Sequence, residues 1–281
     1  MPIRPHWLTL LSLGFFGLLL NAYGQTTQDE NHGNNARTMT MPSEQAIDAL
    51  NHRKFFFMHH SVGDNIIKGI EMLADELLTP VNIMTLDGEA TTLAIPHNGL
   101  AHARGGKNRY PQTKIDAFAS QMARFAVDSR PQIAFMKFCF VDFSPDTDPQ
   151  ALFQAYATAL KRLEVQFPDV RFVHFTAPLT RRPDGWKDRI YRIIGREIWE
   201  DAANMQREKY NQLIRTHYPK SQVFDLAFYE SNRPDGGRER QTSGDFTFYS
   251  LVPAYTYDGG HLNDTGKKRI AAMLIDFLSN L

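Results

Sequence analysis

The chain has 281 residues, 42% of them hydrophobic, enough for one domain with a sizeable core or at most two small ones. Thirty-one basic residues balance 31 acidic ones with no long basic run, which argues against a nucleic-acid partner. One cysteine, Cys139, excludes a disulfide framework.

Arg4 and the free amine precede an apolar run of 13 residues, Leu8 to Leu20 (LTLLSLGFFGLLL). At about 1.5 Å per residue the run reaches about 20 Å, short of the roughly 30 Å hydrocarbon core of a bilayer. Ala22-Tyr23-Gly24 then supplies a small-x-small pattern. Residues 1–24 therefore read as a signal peptide cleaved after Gly24, with an uncleaved anchor helix as the alternative. The expected protein is exported, periplasmic or secreted, with no stable membrane insertion after cleavage. Residues 25–50, opening on Gln, Asn, Thr and charge, read as a flexible linker, and residues 51–281 as a single domain.

Phe55 to Met58 is a continuous apolar strand. Ile66, Ile67, Ile70, Leu73, Ala74, Leu77 and Leu78 follow at helical spacing, and Pro80 ends that helix. Val81 to Leu86 is a second strand, and a long Gly-, His- and Asn-rich segment runs from Asp87 to Tyr110. Pro111 opens a helix carrying Ile115, Phe118, Met122 and Phe125. Ile133 to Val141 (IAFMKFCFV) is apolar on both faces apart from Lys137, as a central parallel strand should be.

Leu152, Phe153, Tyr156, Leu160, Leu163 and Phe167 mark the next helix, and Val170 to Phe175 the next strand. A long polar helical region spans Lys187 to Tyr218, and Val223 to Leu226 is a short strand. The last helix begins near Asn263. Strands alternating with helices predict an α/β protein, a three-layer α/β/α sandwich with a mainly parallel sheet of about five strands. In such sheets reactive groups collect at the carboxyl ends of the strands, which places Ser61, the 87–108 loop and the segment after Val141 on one rim.

Two features of the sequence can carry chemistry. Ser61 directly follows the first strand and precedes a helix, so its hydroxyl is either a nucleophile beside free backbone N–H groups or a helix cap. Near the C-terminus, Asp258-Gly259-Gly260-His261 makes a tight turn before Asn263. It is either a cap with a surface histidine, or an imidazole oriented by a carboxylate to take a serine proton.

A post-strand serine in the first strand-helix unit, combined with Asp-x-x-His before the last helix, resembles the SGNH hydrolase superfamily, the GDSL-like esterases and lipases. The resemblance spans about Phe55 to Leu281, and the C-terminal block DGGHLNDTGKKRIA carries it most specifically. It departs at the first block, where HHSVG stands in place of Gly-Asp-Ser, as in a bacterial branch of the superfamily. The resemblance implies Ser61 as nucleophile, His261 as general base and Asp258 as its orienting acid.

It further implies an oxyanion hole built from the Ser61 N–H, a glycine N–H and an asparagine side chain. In PHNGLAHARGGKNRYP the choice falls on Gly106 and Asn108, with Asn98-Gly99 as the rival. The family's third-block asparagine is missing, since Cys139-Phe140-Val141-Asp142 stands there, so Asn108 replaces it or the hole has fewer donors. Asp142 shapes its loop or supports the site.

The remaining candidates are His59, His60, Lys137 and Arg181. Lys137 must reach the carboxyl rim or pair with an acid. Arg181, Arg182 and the 187–196 stretch form either a basic wall for an anionic or sugar substrate or a solvated helix face. Cys139 reads as a small buried hydrophobe. The 230–245 loop reads as a mobile flap or plain surface disorder.

The implied activity is hydrolysis of short-chain esters, O-acetyl groups above all, on a small molecule or a polysaccharide, with no cofactor. Acyl transfer by the same residues is an alternative. So is a metal-dependent hydrolase using His59, His60, Asp258 and His261, although consecutive histidines on an extended segment face opposite ways. A carbohydrate-binding protein without catalysis is the third.

Overall fold

A computed structural model describes residues 41–281. The expected signal peptide and residues 25–40 of the expected linker lie outside the described residues.

Six strands form one parallel sheet: β1 (Lys54–Met58), β2 (Ile83–Thr85), β3 (Gly99–Ala103), β4 (Ile133–Met136), β5 (Arg171–Phe175) and β6 (Val223–Phe224). Their spatial order is β2-β3-β1-β4-β5-β6. Alternation along each strand divides the apolar side chains between two faces. Phe55 and Phe57 of β1, Phe135 of β4 and Phe175 of β5 pack with Ile66 and Ile70 of α2 (Val62–Glu76) and Ile270 and Leu274 of α8 (Asp264–Ser279). Phe56, Met58, Met136 and Phe172 face the other way. There they meet Phe118 of α3 (Pro111–Arg124), Leu160 of α4 (Pro149–Gln166) and Tyr210 of α6 (Trp199–His217). The architecture is the expected three-layer sandwich.

Several particulars differ from the sequence reading, among them the strand read over Ile133 to Val141, which ends at Met136. The sheet has six strands, not five, because β3 (GLAHA) sits inside the segment read as a loop. Gly and Ala have low strand propensity, yet β3 is sandwiched between β1 and β2 and is buried at four of five positions.

The expected linker, residues 25–50, ends in structure. Residues Glu44–Ala49 form helix α1, capped by Ser43 Oγ accepting from Ala46 N, and Ile47 and Leu50 are fully buried. The long 187–218 helix is two helices, α5 (Trp186–Ile193) and α6. The 230–245 segment is ordered: Glu230 ends up buried in α7 (Leu226–Ser231), and Arg240–Ser243 (β7) pairs antiparallel with Phe246–Tyr249 (β8). Among the described residues no helix is long and apolar enough to cross a membrane.

Candidate active site

Because β1, β3 and β4 are parallel and in register, with Met58 beside Ala103 and Met136, their carboxyl ends deliver residues 59–61, 104–109 and 137–142 to one rim. Ser61 sits there at the start of α2 with φ of 57°, a left-handed conformation rare for a non-glycine residue. Holding it costs on the order of 1–3 kcal/mol, and such strain concentrates at functional sites. Its side chain does not cap α2. The Ser61 hydroxyl instead hydrogen-bonds His261 Nε2, across 200 residues of sequence.

His261 is held from behind. Asp258 Oδ2 accepts from His261 Nδ1 at 2.6 Å, while Oδ1 accepts from the N–H groups of Gly260 (2.9 Å) and His261 (2.7 Å). Partial burial pushes the Asp258 carboxyl up, but these three donors outweigh it and hold its pKa below the ordinary value. Protonation at Nδ1 leaves Nε2 as the acceptor for the serine hydroxyl in the neutral ring.

Two features of α2 bring the loop to Ser61. Asn65 Oδ1 accepts from Leu262 N at 3.0 Å. Gly69 lets α8 pack closely, since a Cβ there would lie 2.2 Å from the Lys267 carbonyl oxygen. On the open side, the Phe140 ring meets the imidazole edge-on at 5.3 Å between centroids, and Tyr257 stacks on it at 6.1 Å.

The rival oxyanion pair, Asn98-Gly99, lies at the opposite rim. Gly99 starts β3 beside Lys54, where β1 begins. Gly106 and Asn108 follow the carboxyl end of β3, and His60 Nε2 donates to the Gly105 carbonyl at 3.0 Å, tying that loop to the residue before Ser61. The Ser61 and Gly106 N–H groups donate to no described residue.

Asn108 Oδ1 accepts from the buried Lys114 Nζ at 2.8 Å, and Lys114 also pairs with Asp142 Oδ2 at 2.5 Å. The amide nitrogen of exposed Asn108 is thereby oriented and left unspent. Asp142 also accepts from Cys139 N (2.7 Å) and Arg109 N (2.9 Å), so it clasps the two rim loops together. Lys114 escaped the sequence reading because one lysine among polar positions of α3 looks like part of a solvated face.

His59 turns away from the site: its Nε2 shares a hydrogen bond with His102 Nδ1 at 3.1 Å, and His102 in turn with Thr85. Burial, followed by the nearby Lys137 and His102, holds the His59 pKa well below the ordinary value. Burial also lowers that of His60, although the Gly105 carbonyl opposes it. In both, these surroundings favour the neutral imidazole. Among the described residues no three His, Cys, Asp or Glu side chains are grouped to hold a metal ion.

Lys137 reaches the rim rather than an acid. Its Nζ donates to the carbonyls of His60 (2.9 Å) and Phe138 (3.2 Å), and burial lowers its pKa. The His60 carbonyl belongs to the peptide group whose N–H is that of Ser61. Cys139 is buried beside it, its Sγ 3.6 Å from the same carbonyl.

Deeper, burial pushes the Glu230 carboxyl up to about 8 against Leu179 N, which donates to Oε2 at 2.6 Å, and burial lowers Arg207 to about 9. Arg207 donates to the Phe140 carbonyl at 2.8 Å and so braces the floor of the site.

An open cleft of about 670 Å³ runs from His261 over Phe140 and Val141, walled by Arg181, Arg182, Trp199, Glu200 and Tyr257. Arg181 lies on this wall, its guanidinium bound to Asp184 at 2.6 Å. Trp199 and Tyr257 are 52% and 68% exposed and offer flat apolar faces to a ligand.

No family model and no curated protein matches the chain. Solved structures similar to the chain include a putative platelet activating factor from Streptococcus pneumonia, with 13% identity over 86% of this chain and 94% of that one, at a TM-score of 0.48. A mutant acetyl esterase with acetate ion matches at 12% identity over 81% and 97%, with a TM-score of 0.43. The OSK domain of Drosophila Oskar matches at 14% identity over 88% and 97%, with a TM-score of 0.39. At such identities and TM-scores the similarity says nothing of the residues in the site.

Proposed function

We propose that the protein is a serine esterase of the SGNH hydrolase kind that removes short acyl groups, O-acetyl above all, from carbohydrate. The observation that carries this reading is the Ser61 hydroxyl, set on a strained strand-to-helix turn and bonded to an imidazole whose other nitrogen donates to Asp258. A capping serine has no use for that arrangement.

In the proposed reaction Ser61 Oγ bonds to the ester carbonyl carbon as its proton passes to His261 Nε2. Asp258 stabilises the resulting imidazolium. The Ser61 and Gly106 N–H groups and the Asn108 amide receive the oxyanion. Collapse breaks the bond to the alcohol, which leaves with the proton from His261. Water, deprotonated by the same nitrogen, then attacks the acyl-enzyme, releasing the acid and restoring the serine.

The cleft supports the carbohydrate assignment. Flat exposed aromatics and charged side chains suit a sugar ring with its hydroxyls better than a long acyl chain.

The test is labelling by a fluorophosphonate, read by peptide mass analysis, together with acetate release from acetylated sugars. Adduct on the Ser61 peptide, abolished by His261→Ala, is expected. A protein that releases acetate but takes no label at Ser61 overturns the assignment.

A further inference from the structure

Residues 181–196 (RRPDGWKDRIYRIIGR) gather six cations against two acids in a chain whose net charge is zero. Within them α5 has no buried residue. Trp186, Ile190, Ile193 and Ile194 are 70%, 44%, 84% and 66% exposed. At about 100° of rotation per residue, these four fall in a single stripe about 100° wide.

Lys187 and Arg189 flank the stripe, one on each side, and Asp188 lies opposite, accepting from Gly185 N at 3.1 Å. Arg192, also on the far side, donates to the Pro183 carbonyl and pairs with Asp201 at 3.2 Å. The protein body is therefore behind the helix, and the apolar stripe faces away from it.

A helix this short is marginal in water without a partner, and a contiguous exposed apolar stripe marks an interaction surface. The charges identify the partner. Arg181 is spent on Asp184, and Arg182 and Arg192 share Asp201. Among the described residues no ion pair takes Lys187 or Arg189. Cations on both flanks of an apolar stripe match a plane of negative charge that extends past both edges, as the headgroups of an anionic bilayer do.

We infer that α5 docks on an anionic lipid surface, with Trp186, Ile190, Ile193 and Ile194 in the boundary between headgroups and acyl chains and Lys187 and Arg189 level with the phosphates. Residues 181–183 both wall the cleft and lead into α5, so docking sets the cleft beside the surface. The inference stands apart from Ser61 chemistry and goes beyond it.

The test places an environment-sensitive fluorophore on the full chain at Ile193→Cys, with Val165→Cys on α4, 74% exposed, as the control site. The native Cys139 is buried and does not compete. Vesicles of phosphatidylglycerol and phosphatidylcholine are expected to brighten and blue-shift the probe at 193 but not at 165, and phosphatidylcholine alone is expected to do neither. Adding Lys187→Gln and Arg189→Gln is expected to raise the lipid concentration at half-response roughly 10- to 30-fold, at the usual contribution of a surface cation.

A probe at 193 that ignores anionic vesicles overturns the inference. So does one already in apolar surroundings without lipid: independent of protein concentration, that result identifies the chain's own residues 1–40 as the cover. Dependent on concentration, it identifies a second copy. None of these outcomes reads ester hydrolysis, so failure here and failure of the serine assignment remain separable.

Discussion

Changing Lys137 to Met sets stability against catalysis. The ammonium sits 2.9 Å from the His60 carbonyl, which also accepts from Gly63 N at 3.0 Å. That carbonyl and the Ser61 N–H are two ends of one peptide group, so a cation on the oxygen polarises the N–H that the proposed mechanism aims at the oxyanion. An oxyanion donor is worth about 3 kcal/mol, and polarisation along a hydrogen-bond chain strengthens a bond by roughly 10–30%. The product, about 0.3–0.9 kcal/mol, is a loss of about two- to fivefold in kcat with KM unchanged.

Stability is expected to move the other way. Met fills similar space and the His60 carbonyl keeps Gly63 N; the Phe138 carbonyl loses its 3.2 Å donor, a smaller effect than removing the cost of burying a charge, so Tm should hold or rise. Turnover of p-nitrophenyl acetate and thermal unfolding followed by circular dichroism read the two effects separately. An unchanged kcat refutes the polarisation argument, and a joint fall in kcat and Tm assigns Lys137 to the fold alone.

Asn108→Ala is expected to fold normally and lose about 10²-fold or more in kcat, the scale of a missing oxyanion donor; a rate near wild type removes Asn108 from the site. Lys114→Met strands the buried Asp142 carboxylate without its ammonium and should cost roughly 3–5 kcal/mol in urea unfolding, whereas a loss under about 1 kcal/mol would show the pair to be dispensable.

Glu230 bears on pH dependence, with a folded pKa of about 8 against an ordinary 4.5. Between those values the native state keeps a proton that the unfolded state has released, so stability falls as pH rises through the window. Glu230→Gln is expected to flatten that slope in unfolding midpoints measured from pH 4.5 to 8; an unaltered slope would refute the assignment. Gly69→Ala drives a methyl into the Lys267 carbonyl and should lower both Tm and activity by prising α8 from α2.

The alternation of apolar strands and amphipathic helices was legible in the sequence because β1, β4 and β5 bury both faces while α2, α3 and α4 each bury only one. β3 was not, since its place between two stronger strands, rather than its own residues, makes GLAHA a strand. Helix α1 was hidden because only Ile47 and Leu50 bury fully in a polar stretch.

In the candidate site, Ser61, Asp258 and His261 were legible by pattern, as each stands at a strand-to-helix or loop-to-helix junction, and the structure brings their side chains together. The sequence favoured Gly106 and Asn108 but kept Asn98-Gly99 as a rival, and the register of β3 sets the two pairs at opposite rims. Lys114, Arg207 and Glu230 were invisible for a common reason. A polar side chain that turns inward on a helix leaves no periodic trace, and its partners come from distant segments.

The most direct measurement of the central claim is rapid-quench mass analysis during turnover of p-nitrophenyl acetate. The account expects the mass of one acetyl group on the peptide holding Ser61, formed in a burst, and absent from Ser61→Ala and His261→Ala. Undiminished hydrolysis by Ser61→Ala, with no acetyl-protein at any time, would contradict it.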